Sequence, residues 1–298
     1  MAGSSARTRV SQTSRRRRPD EPDRAQSTRR VDAETGAIRI GIGGWVFEPW
    51  RGSFYPKGLP HAQELSYASR CVTTIEINGT FYRTQSPKTF AKWAREVPDD
   101  FVFAVKAPRA IVGRRVLAET EPQIERFLSS GVAELGPRLG PLLWQLAPTH
   151  RFDADDLARF FDLLPDRLDG FRLRHALEVR HESFQTPAFI ELMRERNVAI
   201  VYAEHATYPG IADLTSDLVY ARLQKGRDDL AAAYPEPELK AWAQRLLTWA
   251  GGGGPPDLPL VAPEVPAPRR PRDVFAFVIH DGKVRAPAAA EALISRLG

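Results

Sequence analysis

The segment VTTIEINGTFYRTQSPKTFAKWAREVPDDFVFAVK (residues 72–106) combines two strand-like runs with a helix-like stretch between them. Residues 72–78 and 101–106 are rich in Val, Ile, Thr and Phe, whereas residues 87–96 favour a helix. A strand, a helix and a second strand form the repeating unit of parallel sheets. The first strand also contains Glu76, whose burial costs several kcal/mol unless the carboxylate is paired or reaches water.

The same alternation along the chain predicts eight strands and seven helices. The strands are expected at residues 38–44, 72–78, 101–106, 142–146, 174–180, 198–203, 218–223 and 274–279. The helices are expected at residues 61–70, 87–96, 119–135, 154–164, 186–196, 236–250 and 287–297. Eight strands with helical crossovers, in about 250 residues, are typical of an α/β (β/α)8 TIM-type barrel. An open doubly wound sheet is the runner-up, but GIGGWVF (41–47) lacks the Gly-rich phosphate turn of that fold.

Two segments fall outside this alternation. Residues 1–37 carry nine arginines against five acidic residues and few large apolar ones, which predicts a disordered basic tail. Such a tail can hold nucleic acid through charge alone, although a solvated extension is the simpler interpretation. Residues 251–272 contain four glycines and seven prolines, so they predict a long surface loop inside the barrel domain, residues 38–298.

Composition excludes several classes of protein. No apolar run approaches the roughly 18 residues that span a bilayer, so we expect no membrane segment. The single cysteine, Cys71, excludes an internal disulfide and indicates a reducing, cytoplasmic location. The run Arg15–Arg18 is not followed by an apolar stretch, so it does not predict a secretory signal.

Long polar side chains are predicted to converge at the carboxyl ends of the strands, where barrel enzymes place their chemistry. Strict alternation along each strand directs such groups inward from five strands. They are Glu76, Asn78, Lys106, Gln145, Glu178, Arg180, Arg222 and Gln224. A single inward charge often belongs to an internal ion pair, but a set at one end favours a functional site.

These residue types suit acid–base chemistry on a small polar substrate. Glu76 and Glu178 can serve as acid and base, and Lys106 as a proton donor, an electrophile or a Schiff-base amine. Lys106 is also the expected counter-charge of Glu76. Arg180 and Arg222 present guanidinium forks suited to carboxylate or phosphate. Asn78 and Gln145 would orient the substrate, and Trp45 and Tyr82 would supply a flat apolar wall.

Three motifs resemble the YecE-like family, domain of unknown function 72. They are IGIGGWVFEPWRGSFYPKGLP (40–60), TTIEINGTFYRTQSPKTFAKWA (73–94) and FAVKAPRAIVGRRVL (103–117). The resemblance continues through LGPLLWQLAPTHRFD (139–153) and LEVRHESF (177–184). The resemblance implies a TIM-type barrel and a site, but no reaction. Its implied site residues are Trp45, Glu76, Asn78, Phe81, Tyr82, Lys106, Gln145, Glu178, Arg180 and His181.

The chain departs from the pattern of this family at three places. Strand 7 ends in ARLQKG (221–226), where the family usually has Arg-x-His-Gly. The segment VIHDGKVRAPAAAEAL (278–293) replaces a Phe-Asn-Asn turn, and Gly113 stands where a histidine is usual. These departures indicate a divergent branch with an altered substrate or lost turnover.

No motif requires a cofactor or a metal ion. The six histidines show neither His-Glu-x-x-His spacing nor paired cysteines. Glu204, His205 and His280 follow strands 6 and 8, and with Glu178 they would make an oxygen and nitrogen site for a divalent metal. Loop histidines are more often simply solvated.

Three functional hypotheses follow. The first is an enzyme, such as a hydrolase, lyase or isomerase, acting on a small anionic or sugar-like substrate through Glu76, Lys106, Glu178 and Arg180. The second is a nucleic-acid-processing or accessory protein, suggested by the basic tail. The third is a ligand-binding barrel without turnover, suggested by the departures after strands 7 and 8.

Overall fold

Eight parallel strands close into a barrel in the computed structural model, which describes residues 35–297. The strands are β1 (Ile38–Gly43), β2 (Thr74–Ile77), β3 (Val102–Lys106), β4 (Leu139–Gln145), β5 (His175–Glu178), β6 (Ala199–Glu204), β7 (Leu218–Lys225) and β8 (Asp273–Asp281). Each strand pairs with its sequence neighbours, and β8 pairs with β1 to complete the ring. The predicted (β/α)8 TIM-type barrel is confirmed.

Helices connect the strands on the outside of the ring. They are α1 (Glu64–Cys71), α2 (Gly79–Tyr82), α3 (Pro87–Glu96), α4 (Arg109–Val112), α5 (Glu121–Leu128), α6 (Ala154–Asp162), α7 (Pro187–Glu195), α8 (Glu236–Ala250) and α9 (Ala286–Leu297). Two of them, α3 and α8, have the predicted bounds. The connection 204–217 contains no helix, as expected.

The predicted helix 119–135 was wrong in its second half. Helix α5 ends at Leu128, and Gly131 adopts a left-handed backbone with φ of 105° before a 3-10 segment begins at Val132. A glycine accepts this conformation without steric penalty and so breaks the helix.

A short antiparallel hairpin, Arg167–Leu168 with Phe171–Arg172, was not predicted, although its Asp169-Gly170 turn is a common hairpin signal.

Apolar side chains fill the lower part of the barrel interior. They include Val102, Leu143, Leu218, Tyr220, Phe275 and Phe277, all nearly inaccessible to solvent. At the amino-terminal end of the strands, the guanidinium carbons of Arg39 and Arg174 lie 6.0 and 5.3 Å from the centre of the Phe275 ring. The barrel is therefore packed and closed at this end, which leaves the carboxyl ends as the place for a site.

The Pro/Gly-rich loop 251–272 has no helix or strand but is anchored to the barrel. Asp213 accepts hydrogen bonds from the backbone amides of Val261 and Ala262, at 2.7 and 3.0 Å. Arg272 is only 2% exposed and donates to backbone carbonyls at both ends of the loop. Local contacts of this kind hold an irregular segment in place without regular secondary structure.

Most of the predicted tail, residues 1–34, lies outside the described residues, so neither the solvated extension nor the alternative of nucleic-acid binding is tested. The first described residues join the barrel domain: Gly36 donates to the carbonyl of Ala250 at 3.0 Å, and Ala37 donates to Asp273 at 3.0 Å. Within residues 35–297, no helix combines the length and the apolar character needed to cross a membrane.

Candidate functional site

Arg222 is the centre of a buried charge network at the mouth of the barrel. Strand β7 directs Arg222 inward, where its Nη2 and Nε lie 3.0 and 3.1 Å from the two carboxylate oxygens of Glu76. Tyr220, one inward position below, donates its hydroxyl to the same carboxylate at 2.7 Å. Glu76 is fully buried, so this paired geometry supplies the compensation that its burial requires.

The expected pairing of Glu76 with Lys106 was therefore wrong. The counter-charge of Glu76 comes from Arg222 on β7, on the far side of β1 and β8 from β2. Arg222 reaches across the interior because its side chain is longer than that of lysine and its fork matches both carboxylate oxygens.

Glu178 is the second carboxylate of the network. Its oxygens accept from Nη1 of Arg222 at 2.5 Å, from Nε2 of Gln145 at 2.9 Å and from Nε of Arg180 at 2.7 Å. Burial raises the pKa of this carboxyl group, but the charges of Arg222 and Arg180 outweigh burial and hold the pKa at about 2. Glu178 is therefore ionised at neutral pH and orients its partners.

Lys106 ends β3 beside this network and has different surroundings. Its residue is 8% exposed, and its Nζ lies 4.2 Å from the centre of the Phe81 ring. Within residues 35–297, the amine makes neither an ion pair nor a hydrogen bond. Burial first, and then the charge of Arg222, lower the pKa of Lys106 to about 8, against the raising effect of Glu76 and Glu178.

Two further side chains belong to the site: Gln224, which alternation had placed among the inward polar residues, and Tyr208, which was not predicted. The ring of Tyr208 lies 4.6 Å from the guanidinium carbon of Arg180, a cation–π contact that fixes the arginine. The Nε2 of Gln224 is buried and donates to no described residue, which leaves a polar atom of the site without a partner among residues 35–297. The inward parity of Gln224 on β7 was readable from sequence, whereas Tyr208 lies in an irregular loop that gives no periodic signal.

The remaining predicted site residues lie around the mouth and differ in their contacts and in their exposure to solvent. Trp45 packs its ring against Trp93 and Phe103, at 5.1 and 6.3 Å between centroids, in the layer that faces the helices. Asn78 is half-buried and donates to the carbonyl of Glu76 at 3.4 Å. Tyr82 is 82% exposed at the rim.

His181 lies at the mouth but acts locally as a helix cap. Its Nδ1 accepts from the backbone amide of Ser183 at 3.1 Å and contacts the hydroxyl of the same residue at 3.0 Å. This hydrogen bonding fixes the start of the short 3-10 segment Glu182–Phe184. The ring is thus oriented by the fold, with its Nδ1 already in use.

The structure does not bring the predicted metal ligands together. The carboxylate of Glu204 accepts from Tyr234 at 2.7 Å and Trp242 at 3.2 Å, on the outer side of β6. The rings of His205 and His280 lie 5.7 Å apart at the rim. Among residues 35–297, no group of three or more His, Cys, Asp or Glu side chains is arranged to hold a metal ion.

The fold and this site together define a TIM-type barrel with a charged pocket at its carboxyl-terminal mouth. A family model, "Protein of unknown function DUF72", matches residues 39–298, and the chain belongs to this family. UPF0759 protein YunF of Bacillus subtilis (strain 168) is 26% identical over 167 residues, 52% of this chain and 54% of YunF. The matched part thus spans about half the length of this curated relative.

Two solved structures of DUF72 family proteins share the fold. The protein from Thermotoga maritima MSB8 superimposes with a TM-score of 0.65 at 22% identity, over 87% of this chain and 98% of that chain. The protein from Enterococcus faecalis V583 gives 0.63 at 16% identity, over 89% and 99%. At this level of identity the likeness concerns the fold, so the chemistry has to be argued from the side chains.

Proposed function

We propose that the protein is a cytoplasmic enzyme that acts on a small anionic or sugar-like substrate, with Lys106 as the group that gives or takes the proton. The observation that carries the proposal is the buried amine of Lys106 at the mouth, without a hydrogen-bond or ion-pair partner among the described residues. A lysine kept in this state is unusual unless its reactivity is used.

The other charged residues set the net charge of the pocket and hold its side chains in place. With Lys106 protonated, three cations face two carboxylates, so the pocket carries one net positive charge and favours an anion. Both carboxylates are committed to arginines, which makes them fixed supports rather than the acid and base. The Nε2 of Gln224 and the outer edge of Arg180 remain to bind substrate oxygens.

The proton transfer follows from the pKa of Lys106. At a pKa of about 8, roughly one amine in ten is neutral at pH 7 and can accept a proton from a bound substrate. The resulting ammonium then returns the proton to another position or to a leaving group. A group with a pKa near the working pH is the most effective general base.

Replacement of Lys106 by Met tests this proposal once a metabolite screen by thermal shift has found a substrate. We expect kcat/KM of the natural protein to rise with pH up to about 8, and the variant to lose about a hundredfold or more of turnover. Lys240→Met, an exposed lysine on α8, is the control. Full turnover in Lys106→Met would disprove the role, and a ligand recovered unchanged from the natural protein would indicate a binding barrel instead.

A stability measurement tests the same residue without a substrate. The pKa of Lys106 is about 8 in the folded state and 10.5 in the unfolded state, so the folded state binds the proton of this amine more weakly. Burial of the charged ammonium therefore destabilises the protein, and the full effect is present below pH 8. Lys106→Met should therefore be more stable by about 3 kcal/mol at pH 7. The gain should disappear above about pH 10.5. Urea unfolding at both pH values measures the difference, and an equal stability at pH 7 would contradict it.

A further inference from the structure

A second charged cavity lies beside the mouth, outside the ring of strands. It has a volume of about 830 Å³ and is lined by residues 112–116, Ala147, residues 149–153, Asp156 and Arg159. We call this cavity the arginine cleft. Since β3 and β4 are neighbours and the two lining segments leave their carboxyl ends, the cleft lies at the same end of the barrel as the Arg222 network.

Four arginines give the cleft its name and its charge. Arg114, Arg115, Arg151 and Arg159 all line it and are all exposed. Within the described range, the first three form no ion pair and donate no side-chain hydrogen bond. Arg159 donates only to the backbone oxygen of Asp155, at 3.2 Å. Guanidinium groups in this state keep their full capacity to bind an anion.

The two carboxylates of the cleft do not neutralise these arginines. Asp156 accepts hydrogen bonds from the backbone amides of Leu117 and Ala118, both at 2.9 Å. Asp153 caps helix α6 by accepting from the amide of Asp156 at 3.0 Å. Both carboxylates thus fix the backbone that carries the arginines, and the cleft retains a net charge of +2 from four cations and two anions.

His150 adds a polar group but no further charge to the wall of the cleft. Burial is the main reason that the pKa of this half-buried imidazole is lowered, although Asp156 raises it. Asp156 on α6 joins the two walls, because its carboxylate accepts from the amides of Leu117 and Ala118 just after the first lining segment. The cleft is therefore a positioned surface, with its two walls tied together, rather than a chance grouping of exposed arginines.

We propose that the arginine cleft binds a small molecule that carries two or more phosphate groups. Its volume lies within the range of about 300–1,000 Å³ that is usual for small-ligand sites. Planar guanidinium forks match phosphate oxygens. The three unpaired forks carry more positive charge than one phosphate monoester, with about −2 at neutral pH, can balance. The proposal rests on residues separate from the Arg222 network, so it holds whether or not Lys106 transfers a proton.

The experiment is isothermal titration calorimetry of the full chain with two probes, inorganic tripolyphosphate and adenosine triphosphate. The cleft variant is Arg114→Gln, Arg115→Gln and Arg151→Gln in one chain. The matched control is Arg15→Gln, Arg16→Gln and Arg17→Gln, which removes the same charge from the basic segment near the amino terminus. Circular dichroism verifies that each variant is folded.

We expect both probes to bind the natural protein and the cleft variant to bind them at least tenfold more weakly, since each arginine removed deletes a charge-assisted hydrogen bond. The control variant should change the affinity by less than about twofold. Equal losses in the two triple variants would show attraction by net charge alone and overturn the proposal. So would the absence of binding by either probe. A single-stranded oligonucleotide of about 20 nucleotides that displaces the probes and binds about a hundredfold more tightly would make the cleft a polynucleotide site instead.

Discussion

Two arginines are buried to a similar extent in this barrel, yet their surroundings differ in kind. Arg222, at the mouth, is 5% exposed and is paired with two carboxylates. Arg272, at the end of the loop 251–272, is 2% exposed and donates to the carbonyls of Ser216, Gly252, Arg270 and Pro268 at 2.8–3.0 Å. One arginine has charged partners and the other has only backbone dipoles.

The pKa values of the two guanidinium groups follow this difference. Burial acts to lower both, but Glu178 and Glu76 outweigh it and raise the pKa of Arg222. For Arg272, burial and the nearby charges of Arg270 and Arg194 lower the pKa. A buried arginine with carboxylate partners thus forms part of a network that can respond to protonation and to an anionic ligand. A buried arginine with carbonyl partners ties backbone segments together and nothing in its contacts titrates.

The largest effect is expected from Arg222→Met. This change leaves Glu76 and Glu178 buried beside each other without their shared counter-charge and should destabilise the fold by about 4 kcal/mol at pH 7. The loss should be smaller at pH 5, because carboxylates without their cation have raised pKa values and take up protons. Urea unfolding at both pH values measures the effect.

Arg245→Met serves as the control for Arg222→Met. Arg245 pairs with Asp257 near the surface at 2.6 Å, and such pairs contribute at most about 1 kcal/mol. If Arg222→Met destabilises no more than this control, the network at the mouth does not support the fold as argued.

The next largest effect is the loss of stability at low pH that is due to Glu178. The folded pKa of Glu178, about 2, lies below the unfolded value of 4.5, so its ion pairs stabilise the protein above pH 4.5 and lose this contribution as the pH falls towards 2. The difference corresponds to about 3 kcal/mol. Glu178→Gln should therefore flatten the decline of stability between these pH values, as followed by chemical unfolding at several pH values. An unchanged acid profile in this variant would assign the acid sensitivity to other carboxylates.

The smallest of the three effects is expected from Arg272→Met, at about 2 kcal/mol, because the backbone carbonyls lose their donor but no charge is left unpaired. The same unfolding assay should show an equal loss at pH 5 and pH 7, since carbonyl oxygens do not titrate. If the stability lost in Arg272→Met varied with pH, the contrast between carbonyl partners at Arg272 and carboxylate partners at Arg222 would not hold. Turnover or ligand binding at the mouth should be unaffected by this change.

The strands and the inward direction of their polar residues were predictable because both depend on local alternation. Glu76, Lys106, Gln145, Glu178 and Arg222 all lie in the barrel interior near its mouth, as this alternation indicated. Which cation meets which anion was not predictable in the same way. Glu76 and Arg222 are 146 residues apart, and their contact depends on the diameter of the closed ring and the length of each side chain.

Other differences arose where local hydrogen bonding or packing decided the position of a side chain. His181 caps a short helical turn, and Trp45 packs against Trp93 and Phe103, so neither follows from its place at the end of a strand. The anchoring of the loop 251–272 escaped prediction because a Pro/Gly-rich composition describes backbone geometry and says nothing of a buried arginine at its end. The same holds for the arginine cleft, whose walls come from two irregular segments.

The barrel is closed at the amino-terminal ends of its strands, so the site opens to solvent only at the carboxyl-terminal mouth. Arg39 and Arg174 flank the Phe275 ring beneath a packed interior, so no passage leads through the barrel. Under the proposed function, substrate and product would enter and leave through the same mouth, so a bound molecule would exclude the next one until it dissociates. Any proton that Lys106 exchanges with water takes the same route, so a bound molecule also isolates the amine from bulk solvent while it stays.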